Sequence, residues 1–136
     1  MRHHQPLGHP LEPLFARSAQ SLTTALSDGT RRVYQETFRN FLRYLVAHHP
    51  DISRLKQLRR DAHILGWLAH LRSHTPPLAK ITIAIRVTFL QRMLQDLAWS
   101  QQLPTLAHLL SRPDVPRLDE DSSARISGSS MYRSAS

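Results

Sequence analysis

Apolar residues recur at helical spacing along most of the chain, and no stretch alternates as a strand would. The densest case runs from Ile81 to Trp99, where Ile83, Val87, Leu90, Leu94 and Leu97 follow one another at steps of four and three. Ile81, Ile85, Phe89 and Met93 lie beside that stripe. The pattern therefore predicts a helix largely enclosed by neighbours, with Leu97 to Trp99 serving packing alone. Its remaining side carries Lys80, Ala84, Thr88, Gln91 and Gln95, and Thr82, Arg86 and Arg92 flank the stripe.

Other segments look arranged to cover that helix. Ser27 to Thr30 has the chemistry of a helix cap, and a helix is expected from there to about His49. Tyr34, Phe38, Phe41 and Leu45 form its inward stripe, widened by Leu42 and Val46, while Arg32, Glu36, Arg39 and Arg43 repeat the same spacing on the opposite side. Pro50 stops this helix, and 51–60 reads as a connector. Asp61 is expected to cap a third helix to about His74, with Ile64, Trp67, Leu68 and Leu71 inward. Thr75, Pro76 and Pro77 then force a boundary. Leu14 to Leu26 permits a short helix, and Pro104 opens another that holds Leu106, Leu109 and Leu110 and ends at Pro113. The expected fold is all-α: a compact bundle of four to five helices over 14–116, between an irregular leader at 1–13 and an acidic, then Ser-rich, disordered tail at 117–136.

Composition changes this picture mainly through charge. The 136 residues carry 18 Lys and Arg against 10 Asp and Glu, a formal net charge of +8. Most of the excess lies between Asp28 and Ser100, with 12 basic and five acidic residues. A folded region this basic attracts polyanions, of which nucleic acid is the commonest. Sixteen of the 18 cations are Arg, whose guanidinium fork grips phosphate oxygens or base edges bidentately; a GC-rich genome would give the same bias. One Glu cannot neutralise the Arg residues around it on the second helix, so that outer face is a candidate ligand surface rather than a set of helix ion pairs.

Several chemistries are excluded. With no cysteine there is neither a disulfide nor a thiolate metal site. His3, His4 and His9 lack carboxylate neighbours at a repeated spacing, and His70 and His74, although four apart, lack a third ligand, so no metal and no cofactor are expected. No Gly-rich phosphate loop, carboxylate pair or nucleophile with a local base is present, which argues against an enzyme and a small-molecule substrate. No apolar run approaches the roughly 20 residues of a membrane span, and the N-terminus lacks a signal-peptide core, so a cytoplasmic protein is expected.

The order of parts resembles the core-binding, SAM-like N-terminal domain of tyrosine recombinases (phage-type integrases). The residues that carry the resemblance are Thr30, Tyr34 and Phe41-Leu42-Arg43-Tyr44-Leu45, then Ile64-Leu65-Gly66-Trp67-Leu68-Ala69-His70-Leu71-Arg72. They continue in Thr82-Ile83 with Arg86 and Phe89-Leu90, and in a linker-like Arg112-Pro113-Asp114-Val115-Pro116-Arg117. The resemblance covers about 27–116. It implies a helical domain lying over one face of duplex DNA, with other recombinase protomers as possible partners. Arg32, Arg39 and Arg43 of one helix and Lys80, Thr82 and Arg86 of another would then face the duplex, and Arg86 or Gln91 would reach base edges. The family's catalytic domain would begin where this chain ends, and Tyr132 has no catalytic surroundings in sequence. The resemblance thus implies DNA binding without strand transfer, as in a truncated or frameshifted product or a cloned fragment. A rival reading is a helical protein-interaction module whose basic face meets an acidic partner.

Overall fold

Ser27 satisfies one free N–H at the start of an amphipathic segment: its Oγ accepts from the Thr30 N–H at 3.2 Å, and α2 (Asp28–His48) starts there. The computed structural model describes residues 7–117. Among them it contains three further α-helices, α1 (Glu12–Leu22), α3 (Leu65–Arg72) and α4 (Lys80–Ser100), and no strand. The fold is all-α, as the spacing predicts. His3, His4, Tyr132 and the expected Ser-rich tail lie outside the described residues.

The four helices meet through aromatic side chains. Tyr34 of α2 stacks on Phe89 of α4 with ring centroids 3.9 Å apart. Phe15 of α1 lies 6.1 Å from both Phe38 and Phe41 of α2. Trp67 of α3 meets Phe41 edge-on at 5.5 Å, and its indole N–H donates to Asn40 Oδ1 at 2.8 Å. Offset and edge-on pairs of this kind add to the stabilisation from area burial. α1 is tied to α4 by Ser18, whose hydroxyl donates to Asp96 Oδ2 at 2.8 Å.

Several expectations are corrected. The leader does not stay irregular to Pro13: Leu11 is fully buried, His9 Nδ1 accepts the Leu11 N–H, and α1 begins at Glu12. Enough apolar surface precedes Pro13 to join the core. α1 ends at Leu22 instead of Leu26, because the Thr23 hydroxyl turns back to the Ala19 carbonyl at 2.7 Å, and Leu26 is left exposed. Asp61 does not cap α3. The chain enters through a wide π-helical turn, Arg60–Ile64, whose preceding Arg59 N–H is taken by His63 Nδ1 at 2.8 Å. α3 ends at Arg72, short of His74. Val46 is exposed, since it falls on the flank of α2, about 120° around the helix from Tyr34.

The largest correction concerns α4. Its inward stripe is Ile83, Val87, Leu90, Leu94 and Leu97 as expected, joined by Met93 and by Ala84 and Ala98. The helix is not enclosed, however: Ile81, Ile85 and Trp99 face solvent, with Trp99 85% exposed. No helix among the described residues covers that side. α4 ends with Gln102 in the left-handed region (φ 56°), the Leu103 N–H donating to the Ala98 carbonyl at 2.9 Å and the Gln102 N–H to the Trp99 carbonyl at 3.3 Å. The chain thereby reverses and runs back against α4 as a 3₁₀ turn, Pro104–His108, that buries Leu106, and Leu109 and Leu110 just after it are buried too.

The returning segment is fastened by one ion pair. Arg60 places Nη1 and Nη2 each 2.8 Å from the two Asp114 oxygens and also donates to the Leu109 carbonyl. The Ser111 N–H adds a bond to Asp114 Oδ2 at 2.8 Å. The Arg60 guanidinium first, and the Ser111 donors after it, hold the Asp114 carboxyl down to about 2. A carboxyl lowered in the folded state stabilises above its ordinary value near 4, and that stability is lost as pH falls toward 2. With Arg60 partly exposed, the contribution is about 1–2 kcal/mol. Urea midpoints measured at pH 7, 4 and 2.5 are expected to drop less between pH 4 and 2.5 for Asp114→Asn than for the unmodified chain; parallel losses would show that the pair contributes nothing. Burial lowers His9 and His63 as well. Their contribution is present above about pH 6.5 and recedes below it, an earlier and separate acid limb.

Candidate nucleic-acid interface

Residues 7–117 hold 15 Lys and Arg and seven Asp and Glu. Three of the seven carboxylates are committed to ion pairs, with Arg39, Arg31 and Arg60. The remaining cations outnumber the remaining acids by the same margin, so folding leaves the positive charge on the surface.

On α2 that surface is a ridge. At about 100° per residue, Arg32 and Arg43 fall roughly 160–180° around the helix from Tyr34, the residue that stacks on α4. Both are exposed, and no carboxylate among the described residues pairs with either. Arg39 sits between them in sequence but is held differently. Its Nη1 lies 3.0 Å from Glu12 Oε2, and both side chains are largely covered, at 17% and 16% exposure. The carboxylate that meets Arg39 is therefore Glu12 of α1 rather than Glu36, and it removes Arg39 from the group of outward-facing cations. No feature of the α2 sequence reveals this, because the partner lies 27 residues away.

The other predicted residues lie on α4. Lys80 is exposed in its first turn, while Thr82 and Arg86 are half-buried on its flank. Gln91 is turned inward and donates to the Leu110 carbonyl at 3.4 Å, so its amide fastens the returning segment. Because Tyr34 marks the α2 side that faces α4, the Arg32 and Arg43 ridge points away from α4. The seven predicted residues thus form no single patch: Arg32 and Arg43 share one face, Lys80, Thr82 and Arg86 belong to another element, and Arg39 and Gln91 have structural partners.

Sequence reasoning passed over Arg92 and Trp99. Arg92 extends over the Phe89 ring, 5.8 Å from its centroid, and reaches the Tyr34 hydroxyl at 3.4 Å while staying exposed. Its position three residues after Phe89 was the available signal. Trp99 reads as core by spacing, but no element among the described residues covers it.

No group of three or more His, Asp or Glu among the described residues is placed to hold a metal ion. Three histidines instead gather around one ring: His48, His49 and His70 lie 4.8, 5.6 and 5.3 Å from Tyr44. No helix of the described residues is long and apolar enough to cross a membrane. No protein-family model, no curated protein and no solved structure matches this chain.

Proposed function

We propose that this domain binds double-stranded DNA as the core-binding, SAM-like N-terminal part of a tyrosine recombinase. The observation that carries the reading is the charge of the α2 ridge, where Arg32 and Arg43 stand exposed without a carboxylate partner among the described residues. The two lie 11 residues apart, about 16 Å along the helix axis, which suits contacts to separate phosphates. Such contacts release condensed counterions and give affinity without sequence preference. The order of helices and the Tyr34, Phe41 and Trp67 core support assigning the domain to that recombinase part.

Titrating a labelled duplex of about 20 base pairs at 50 and 200 mM salt tests the reading, since each phosphate contact steepens the salt slope by about 0.9. Binding is expected at low salt and should fall sharply at the higher concentration. Arg32→Glu with Arg43→Glu is expected to weaken it roughly 10–100-fold at 50 mM salt and to flatten the slope by about two, with helicity retained. Absence of binding at low salt would sink the DNA reading. Unchanged affinity in the folded double variant would move the interface off α2.

A further inference from the structure

Histidines crowd the junction where α2 ends and the chain enters α3. His63, in the π-helical turn Arg60–Ile64, is buried, and its ring stands edge-on to that of His49 with centroids 4.6 Å apart. Its Nδ1 accepts the Arg59 N–H at 2.8 Å, and the His63 and Ile64 N–H groups both return to the Arg59 carbonyl, at 3.0 and 3.3 Å. Both backbone groups of Arg59 are therefore bound within the turn. The bond to Nδ1 exists only while the imidazole is neutral. An imidazolium carries hydrogen on both nitrogens, so a proton on His63 sets N–H against N–H whichever way the ring is turned. No carboxylate among the described residues makes an ion pair with His63. Burial above all, then His49 and Arg59, disfavour the charged ring, and the exposed Asp51 opposes them. His9 takes the Leu11 N–H in the same manner, but it has Glu12 beside it and a hydrogen bond to the Ile52 carbonyl that protonation keeps.

We infer that His63 is a proton-operated latch: on taking up a proton it leaves the end of α2 and opens the turn at 59–64, while the four helices stay assembled. The opening reaches further through Arg60. That side chain, in the same turn, holds the Leu109 carbonyl and both Asp114 oxygens, 49 and 54 positions away in sequence, and so fastens the segment that returns along α4. Loosening the turn slackens that fastening. The opened turn binds the proton more tightly than the closed one, so opening is favoured as pH falls below the ordinary imidazole value of 6.5 and suppressed above it. Asp114 itself titrates only toward about 2, so the two acid effects separate.

Amide hydrogen exchange followed by NMR at about pH 7.5 and pH 5, corrected for the intrinsic rate, tests the latch. The Arg59, His63 and Ile64 amides are expected to lose protection severalfold at the lower pH, with a ceiling of about thirtyfold for one imidazole of ordinary value 6.5. Their exchange should not respond to urea below about 1 M, as a local opening requires, whereas the Phe41 and Leu45 amides of α2 should stay slower and quicken with urea. In His63→Asn, whose Oδ1 can take the place of Nδ1 but never titrates, the acid loss should vanish. In the unmodified chain the His63 imidazole and the Arg59 amide should shift with one midpoint, a reading that needs no variant. The Ser111 amide, bonded to Asp114, should follow the same midpoint, which a change confined to the His63 ring would not produce. Protection unchanged by acid, exchange at 59–64 that matches α2 in rate and urea dependence, separate midpoints, or an acid loss that persists in folded His63→Asn each overturn the proposal.

Discussion

Replacing Trp67 with alanine is expected to cost about 3–5 kcal/mol, read as a fall in the urea midpoint at constant slope. The indole is fully buried, packs edge-on to Phe41 and sits where α3 meets α2. A small domain holds only about 5–15 kcal/mol in total, so this variant approaches the limit of folding. Trp67→Phe separates the terms, keeping an aromatic edge for Phe41 while losing the bond to Asn40. Asn40 is only half-buried and can be rehydrated, so about 1–2 kcal/mol is expected. If the alanine variant lost no more than the phenylalanine one, Trp67 would not be the anchor of the α2–α3 contact.

The second large effect is expected at Gly66. A Cβ there would collide with the Tyr44 hydroxyl, a contact that no ordinary side-chain adjustment leaves in place. Gly66→Ala gains about 1 kcal/mol of helix propensity and loses about 1–3 kcal/mol to overpacking, a net change between zero and about 2 kcal/mol of destabilisation. The obstacle is one oxygen, so Tyr44→Phe should relieve it. In the double variant the two changes should cost at least 0.5 kcal/mol less than their sum, a coupling that sites without a shared contact do not show. Strict additivity would mean that Tyr44 is not what reserves position 66 for glycine. Since Tyr44 touches His48, His49 and His70, the single variant should also disturb the imidazole resonances of those residues in a proton spectrum.

The helices were legible because their signals are local. Ser27 as a cap, the Tyr34, Phe38, Phe41 and Leu45 stripe, and prolines at 50, 76 and 104 act within a turn or two of chain. What escaped depends on distant residues. Ile81, Ile85 and Trp99 have the spacing of a core stripe, and only the positions of the other helices decide that they face water. Arg39 reads as one of three outward cations until Glu12, brought in by α1, takes it. Gln91 likewise turns from a possible reader of bases into a fastener of the returning segment. Charge excess survives folding because it is a property of composition. Its arrangement into a ridge on α2 follows from where Tyr34 packs.

Gln102 has a consequence for how this fold can change. Holding a side-chain-bearing residue in the left-handed region costs about 1–2 kcal/mol relative to the ordinary helical one, a penalty that glycine does not carry. The sequence accepts that cost at the joint where α4 hands over to the segment that runs back against it. Position 102 is therefore a reserve: substitution by glycine would recover part of the cost and tolerate a damaging change elsewhere without altering the course of the chain.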